Sequence, residues 1–136
     1  MKELFNNQIT IQSNSERIKQ VLLDGLKLKI WNPSIMTVDK LEKNTYEIRR
    51  NEGPNRYEKI IVKSKQDRVI YQSTGGYLEY KIEFDIKDYG DLTDVRETFL
   101  INSERSRFPI KLLTPIAKNA FNHNLTSLKL ILDRVG

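Results

Sequence analysis

The sequence predicts an α+β fold in which a curved antiparallel β-sheet wraps around a long C-terminal α-helix. Three observations lead there. Leu78, Tyr80, Ile82, Phe84 and Ile86 alternate strictly with Glu79, Lys81, Glu83, Asp85 and Lys87, the pattern of a strand with one wet face and one buried face. A run of shorter β-rich segments, broken by turn residues, fills the middle of the chain. The final stretch carries Ala117, Ala120, Phe121, Leu125, Leu128, Ile131, Leu132 and Val135 at helical spacing, an apolar stripe broad enough to require a cover. With most helical mass at the end of the chain rather than between strands, the class is α+β and not α/β.

Taken in order, Ile9-Thr10-Ile11 alternates as a short first strand and runs into Ser13-Asn14-Ser15-Glu16. Ser13 and Glu16 have the spacing of a capping box, so a helix is expected there, with Ile18, Val21 and Leu22 on its apolar side and Asp24-Gly25 as its stop. Leu26, Leu28 and Ile30 then alternate, and pattern alone makes the chain extended from Leu26 to Trp31, before Asn32-Pro33. Strands are expected from Ile35 to Val38, Thr45 to Arg50, Tyr57 to Lys63 and Arg68 to Thr74. The breaks between them are Glu42-Lys43-Asn44, Asn51-Glu52-Gly53-Pro54-Asn55 and Lys65-Gln66-Asp67. Gly75-Gly76 is a turn and not a phosphate loop, because no Gly-Lys-Ser/Thr and no helix start follow it. The strictly alternating strand comes next, closed by Asp88-Tyr89-Gly90-Asp91.

Leu92 to Ile101 is the last expected strand. Thr93, Val95, Glu97, Phe99 and Ile101 share one of its faces, and Glu97 interrupts the apolar run. Thr114-Pro115 is a helix start, with Thr as N-cap and Pro in the first turn. Ile110, Leu112 and Leu113 form either a preceding turn or a Pro-kinked extension of the same helix.

A chain of 136 residues suits a single domain spanning 1–136, and 38% hydrophobic with 30% charged residues is the composition of a folding chain. The absence of cysteine excludes disulfides, thiolate metal sites and cysteine nucleophiles. His123, the lone histidine, falls beside the apolar stripe of the helix and reads as a surface residue. Neither a zinc site nor a Ser-His-Asp triad can be assembled around it, and no metal or cofactor is expected. No apolar run is long enough for a transmembrane segment, and Met1-Lys2-Glu3-Leu4-Phe5 lacks a signal-peptide pattern, so the expected location is cytoplasmic. The net charge of +5 is scattered, with Arg49-Arg50 and Arg105-Ser106-Arg107 its densest clusters. It reads as a solvated surface, and no DNA partner is expected.

The order of elements resembles the helix-grip superfamily called SRPBCC, which includes START-type lipid-transfer domains, plant pollen-allergen-like proteins and bacterial polyketide cyclases. The residues that carry the resemblance are Ile9-Thr10-Ile11 leading into Ser15-Glu16-Arg17-Ile18, and Leu28-Lys29-Ile30-Trp31-Asn32-Pro33. Gly76-Tyr77-Leu78-Glu79-Tyr80, Asp91-Leu92-Thr93-Asp94-Val95 and Asn124-Leu125 through Leu132 complete it over nearly the whole chain. The chain looks most like the small bacterial members described as polyketide cyclases or dehydrases. The resemblance implies a helix around Trp31, against the pattern reading, and a cleft between sheet and long helix that takes an apolar or aromatic ligand.

Small-molecule sites combine apolar walls with a few orienting polar groups. Trp31, Met36, Tyr46, Tyr71, Tyr80, Ile82, Phe99, Ala117 and Phe121 are the candidate ligand-binding residues, with the hydroxyls of Tyr46, Tyr71 and Tyr80 placed to anchor a polar end. The alternative is that these side chains simply fill the core. Glu97 is the sharpest clue, since a carboxylate on an apolar face must find a partner, raise its pKa or line a wet cavity. It is the candidate catalytic and ligand-orienting residue, and an arginine partner is the plainer reading. Three functions follow: binding or carriage of a small hydrophobic molecule by a monomer or homodimer; a cyclase- or dehydratase-like enzyme using Glu97 and a Tyr; and a module for a protein partner, since the resemblance extends to chaperone activators and ribosome-binding toxins.

Overall fold

The computed structural model describes residues 1–102 and 109–133. The elements run β1 (Lys2–Ile11), α1 (Ser15–Leu23), a 3₁₀ turn (Gly25–Lys27), α2 (Leu28–Trp31), β2 (Ile35–Glu42), β3 (Thr45–Arg50) and β4 (Tyr57–Lys65). They continue with β5 (Arg68–Thr74), β6 (Tyr80–Asp88), β7 (Thr93–Ile101) and α3 (Ile110–Leu132). The strands form one curved antiparallel sheet in the order β1-β7-β6-β5-β4-β3-β2. Period-2 alternation decides which face is covered: Tyr80, Ile82, Phe84 and Ile86 on β6, and Val95, Glu97, Phe99 and Ile101 on β7, are buried on the concave side.

The concave side is closed in two different ways. At one end α1, the 3₁₀ turn and α2 plug it with Ile18, Leu22, Leu28 and Trp31, and Trp31 and Tyr71 both meet Phe84 edge-on, with centroids 6.2 Å and 5.1 Å away. Along the rest lies α3, packed against β1. Its burial is unequal: Leu125, Leu128 and Leu132 are sealed into the core, whereas Leu112 and Ile116 are 70% and 69% exposed. The C-terminal half of α3 therefore grips the sheet, and the N-terminal half overhangs it, touching the core through Ile110, Leu113 and Ala117.

Several expectations are corrected. The segment from Leu26 to Trp31 is helical, not extended: helical spacing buries Leu28 and Trp31 and leaves Leu26 and Ile30 in solvent, while the Asp24 side chain caps the turn at the Leu26 N–H. A strand would have buried Leu26, Leu28 and Ile30 together and left the indole outside. Asn14, not Ser13, caps α1, accepting from the Arg17 N–H at 2.9 Å. β1 is longer than expected because polar Asn6, Asn7 and Gln8 pair with β7 through backbone groups that carry no sequence signal. Helix α3 begins at Ile110, so the stretch before Pro115 is an extension of the same helix and not a separate turn: Thr114 lies inside it with its hydroxyl donating to the Ile110 carbonyl, and Pro115 is an interior proline. Ile131 is 41% exposed rather than part of the buried stripe. Val135 and the Arg105-Ser106-Arg107 cluster lie outside the described residues. Among the described residues, no helix is long and apolar enough to cross a membrane.

Candidate functional site

The overhang of α3 leaves a cleft of about 340 Å³. Its floor is aromatic. Phe5 on β1 stacks on Phe99 of β7 (4.8 Å, 10°), and Phe99 stacks on Tyr80 of β6 (4.9 Å, 19°), a ladder crossing three adjacent strands. Phe121 of α3 leans onto Phe99 at 5.2 Å. Leu113, Ile116, Ala117 and Ala120 of α3 line the roof, where the two alanines leave space that larger side chains would fill. Asn124, also lining the cleft, is 9% exposed, and its side-chain amide has no hydrogen-bond partner among the described residues.

One end of the cleft is ionic. Arg50 and Glu58 lie on paired strands β3 and β4, where Glu58 continues the inward alternation of Ile60 and Val62, and Arg50 that of Tyr46 and Ile48. Glu58 is fully buried, and its two oxygens receive five donors: Arg50 Nη2 (2.7 Å) and Nε (3.0 Å), Tyr80 Oη (2.8 Å), Asn55 Nδ2 (2.8 Å) and Ser73 Oγ (2.9 Å). Arg50 Nη1 donates to Ser34 Oγ at 2.8 Å. Burial opposes the charge on Arg50, but Tyr80 and Glu58 outweigh it and raise the guanidinium pKa. Burial, and then the neighbouring Glu58 charge, push the Tyr80 phenol well above its ordinary value.

Asn55 also holds the turn before β6, donating to the Leu78 carbonyl and accepting from the Leu78 N–H at 2.8 and 2.7 Å. Gly76 is needed there because a Cβ would stand 2.6 Å from Asn55 Nδ2 and 2.8 Å from the Tyr57 carbonyl oxygen.

Glu97 lies behind this cleft rather than on it. It faces a void of about 10 Å³ that it shares with Trp31, Tyr71, Ile82, Tyr80 and Phe121, at the lower limit for holding one water. Asn7 Nδ2 reaches Glu97 Oε1 at 3.4 Å, and among the described residues neither Glu97 Oε2 nor Trp31 Nε1 has a partner. Burial pushes the Glu97 pKa up to about 8 against the small opposing effect of Asn7. No arginine pairs with it among the described residues.

Of the sequence-predicted site residues, the cleft gathers Tyr80, Phe99, Ala117 and Phe121. Trp31, Tyr71, Ile82 and Glu97 belong to the solid interior beside it. Met36 is 48% exposed on edge strand β2, and the Tyr46 ring packs on Gly25 away from the cleft. The tyrosine hydroxyls are not free anchors: Tyr71 donates to the Leu22 carbonyl at 2.5 Å, and Tyr80 donates to Glu58. Arg50, expected as solvated charge, is instead the buried partner of Glu58, while Arg49 stays exposed beside Glu47. His123 is exposed, as expected. The residues missed were Arg50, Asn55, Glu58 and Asn124. The signal that singled out Glu97, a charge at an inward strand position, was present at Glu58 two residues before Ile60.

Neither protein-family models nor curated proteins give a match to this chain. Solved structures do. A START superfamily protein from Mycobacterium smegmatis superposes with a TM-score of 0.80 at 13% identity, over 94% of this chain and 95% of that one. The fold is the START-like helix grip. The helix-grip likeness extends to the di-domain ARO/CYC protein BexL from the BE-7585A biosynthetic pathway (TM-score 0.77, 12% identity), where 95% of this chain covers 45% of that one. It extends also to the Aha1 dimer from Colwellia psychrerythraea (TM-score 0.69, 22% identity, 98% and 97% covered). At these identities the helix-grip likeness speaks for the fold and leaves function to the site.

Proposed function

We propose that this protein binds a small, largely apolar molecule in the cleft between the sheet and α3. The observation that carries the reading is the open cleft itself: Tyr80 and Phe99, themselves buried, form its floor under an alanine-lined part of the helix, and the apolar side chains of Leu113, Ile116, Ala117 and Ala120 border space that a filled core would have closed with large side chains. Removing that surface from water provides affinity, and the polar groups at one end provide orientation. A cleft of about 340 Å³ is near the lower end of ligand-site sizes, which suits a compact ring system better than a long acyl chain.

A cyclase-like reaction is the weaker reading. It requires an acid or base in reach of the bound molecule. Glu97 is held behind Tyr80 and Phe121, and Glu58 already accepts from five donors.

Native mass spectrometry of protein purified from cells under non-denaturing conditions tests the binding role. A copurified small molecule is expected on the wild type and not on Ala117→Trp, in which an indole fills the cleft. A ligand retained equally by both proteins overturns the assignment to this cleft.

A further inference from the structure

We infer that the cleft selects by charge: it accepts a neutral ligand bearing a hydroxyl or carbonyl group and rejects the carboxylated counterpart. The inference rests on the ligand-cleft reading above. A buried arginine at the end of an apolar cleft would ordinarily suggest an anionic ligand. Here its charge is already matched. Nε and Nη2, one of the two edges with which a guanidinium clasps a carboxylate, both converge on Glu58 Oε1, and on the other edge Nη1 donates to Ser34 Oγ while Nη2 also reaches Tyr80 Oη at 3.5 Å.

A ligand carboxylate would have to displace Glu58 and leave a buried carboxylate without its cation, which costs more than the new contact returns. The rest of the lining adds to the repulsion. Its charged side chains among the described residues are Arg50, Glu52 and Glu58, one cation against two carboxylates.

The buried polar group of the lining that is free among the described residues is neutral. Asn124, nine-tenths buried on α3, offers amide N–H donors and a carbonyl acceptor in the cleft, without a hydrogen-bond partner among the described residues. A hydroxyl can satisfy both, and a carbonyl can satisfy the donor. A carboxylate satisfies only the donor and, with Glu58 already matched by Arg50, meets Glu52 as a like charge.

The test is calorimetric titration of the wild-type chain with 2-naphthol and with 2-naphthoate, probes of similar size of which the first is neutral and the second anionic at neutral pH. 2-Naphthol is expected to bind at least about tenfold more tightly. Glu58→Gln, which frees the Arg50 charge, is expected to narrow or reverse that preference. Asn124→Leu is expected to weaken 2-naphthol several-fold with little effect on 2-naphthoate, and it keeps the test available should Glu58→Gln fold poorly. Equal or tighter binding of 2-naphthoate by the wild type overturns the charge selection and leaves the binding role standing. Saturation with neither probe overturns the binding role itself, and the selection with it.

Discussion

Arg50 and Glu58 meet at one end of the cleft, with Nε and Nη2 converging on a single carboxylate oxygen at 3.0 and 2.7 Å. The pair is screened from solvent, with side-chain exposures of 12% and 0%. Such a pair is costly to break because the survivor keeps its desolvation penalty without its partner.

Glu58→Ala is therefore expected to destabilise the fold by about 3–5 kcal/mol. Urea denaturation measures it. Replacing both members with apolar residues, Arg50→Met with Glu58→Leu, is expected to cost clearly less than the sum of the two single changes. Strict additivity would show that the pair is not energetically coupled.

Glu97 makes stability depend on pH in a defined direction. Its carboxyl is held up to about 8 by burial, against about 4.5 in the unfolded chain. Over that interval the unfolded chain releases a proton that the folded chain keeps. The contribution of Glu97 is therefore complete below about pH 4.5 and is lost as pH rises through 8, by an amount on the order of 5 kcal/mol at most. Glu97→Gln should flatten that part of the stability profile, measured by denaturation midpoints at a series of pH values. An unchanged slope would mean that the carboxyl titrates normally.

Gly25→Ala should cost about 1–3 kcal/mol, since the Tyr46 ring already occupies the position of the new methyl group. Thermal melting reads the loss, and Tyr46→Leu in the same chain should recover part of it.

Ala117→Trp should leave unfolding free energy within about 1 kcal/mol, because Ala117, half-buried against the core, also borders the open cleft into which an indole can extend. A loss well beyond that would show that the overhang of α3 is tighter than its lining indicates.

The sheet was largely legible in the sequence because inward alternation on β6 and β7 leaves a pattern in the residues themselves. What escaped were features decided by partners far along the chain. Leu26 to Trp31 alternates like a strand, but Trp31 finds Phe84 only from a helix. Thr114-Pro115 has the chemistry of a helix start, and the actual start at Ile110 is set by packing of Ile110 and Leu113 against the core. At the site, aromatic residues could be named but not sorted: Tyr71 and Tyr80 look alike in sequence, yet α1 claims the first hydroxyl and Glu58 the second. Asn124 lies within the helical stripe, and nothing local distinguishes a buried amide that lacks a partner from one facing water.

The most direct test of the whole account is a map of backbone amide shifts as 2-naphthol is titrated into the labelled protein. Saturating changes should concentrate at Tyr80 and Phe99 on the sheet and at Ala117, Phe121 and Asn124 on α3. Shifts confined to the outward face of β6, at Lys81 and Glu83, or the absence of any saturating shift, would contradict it.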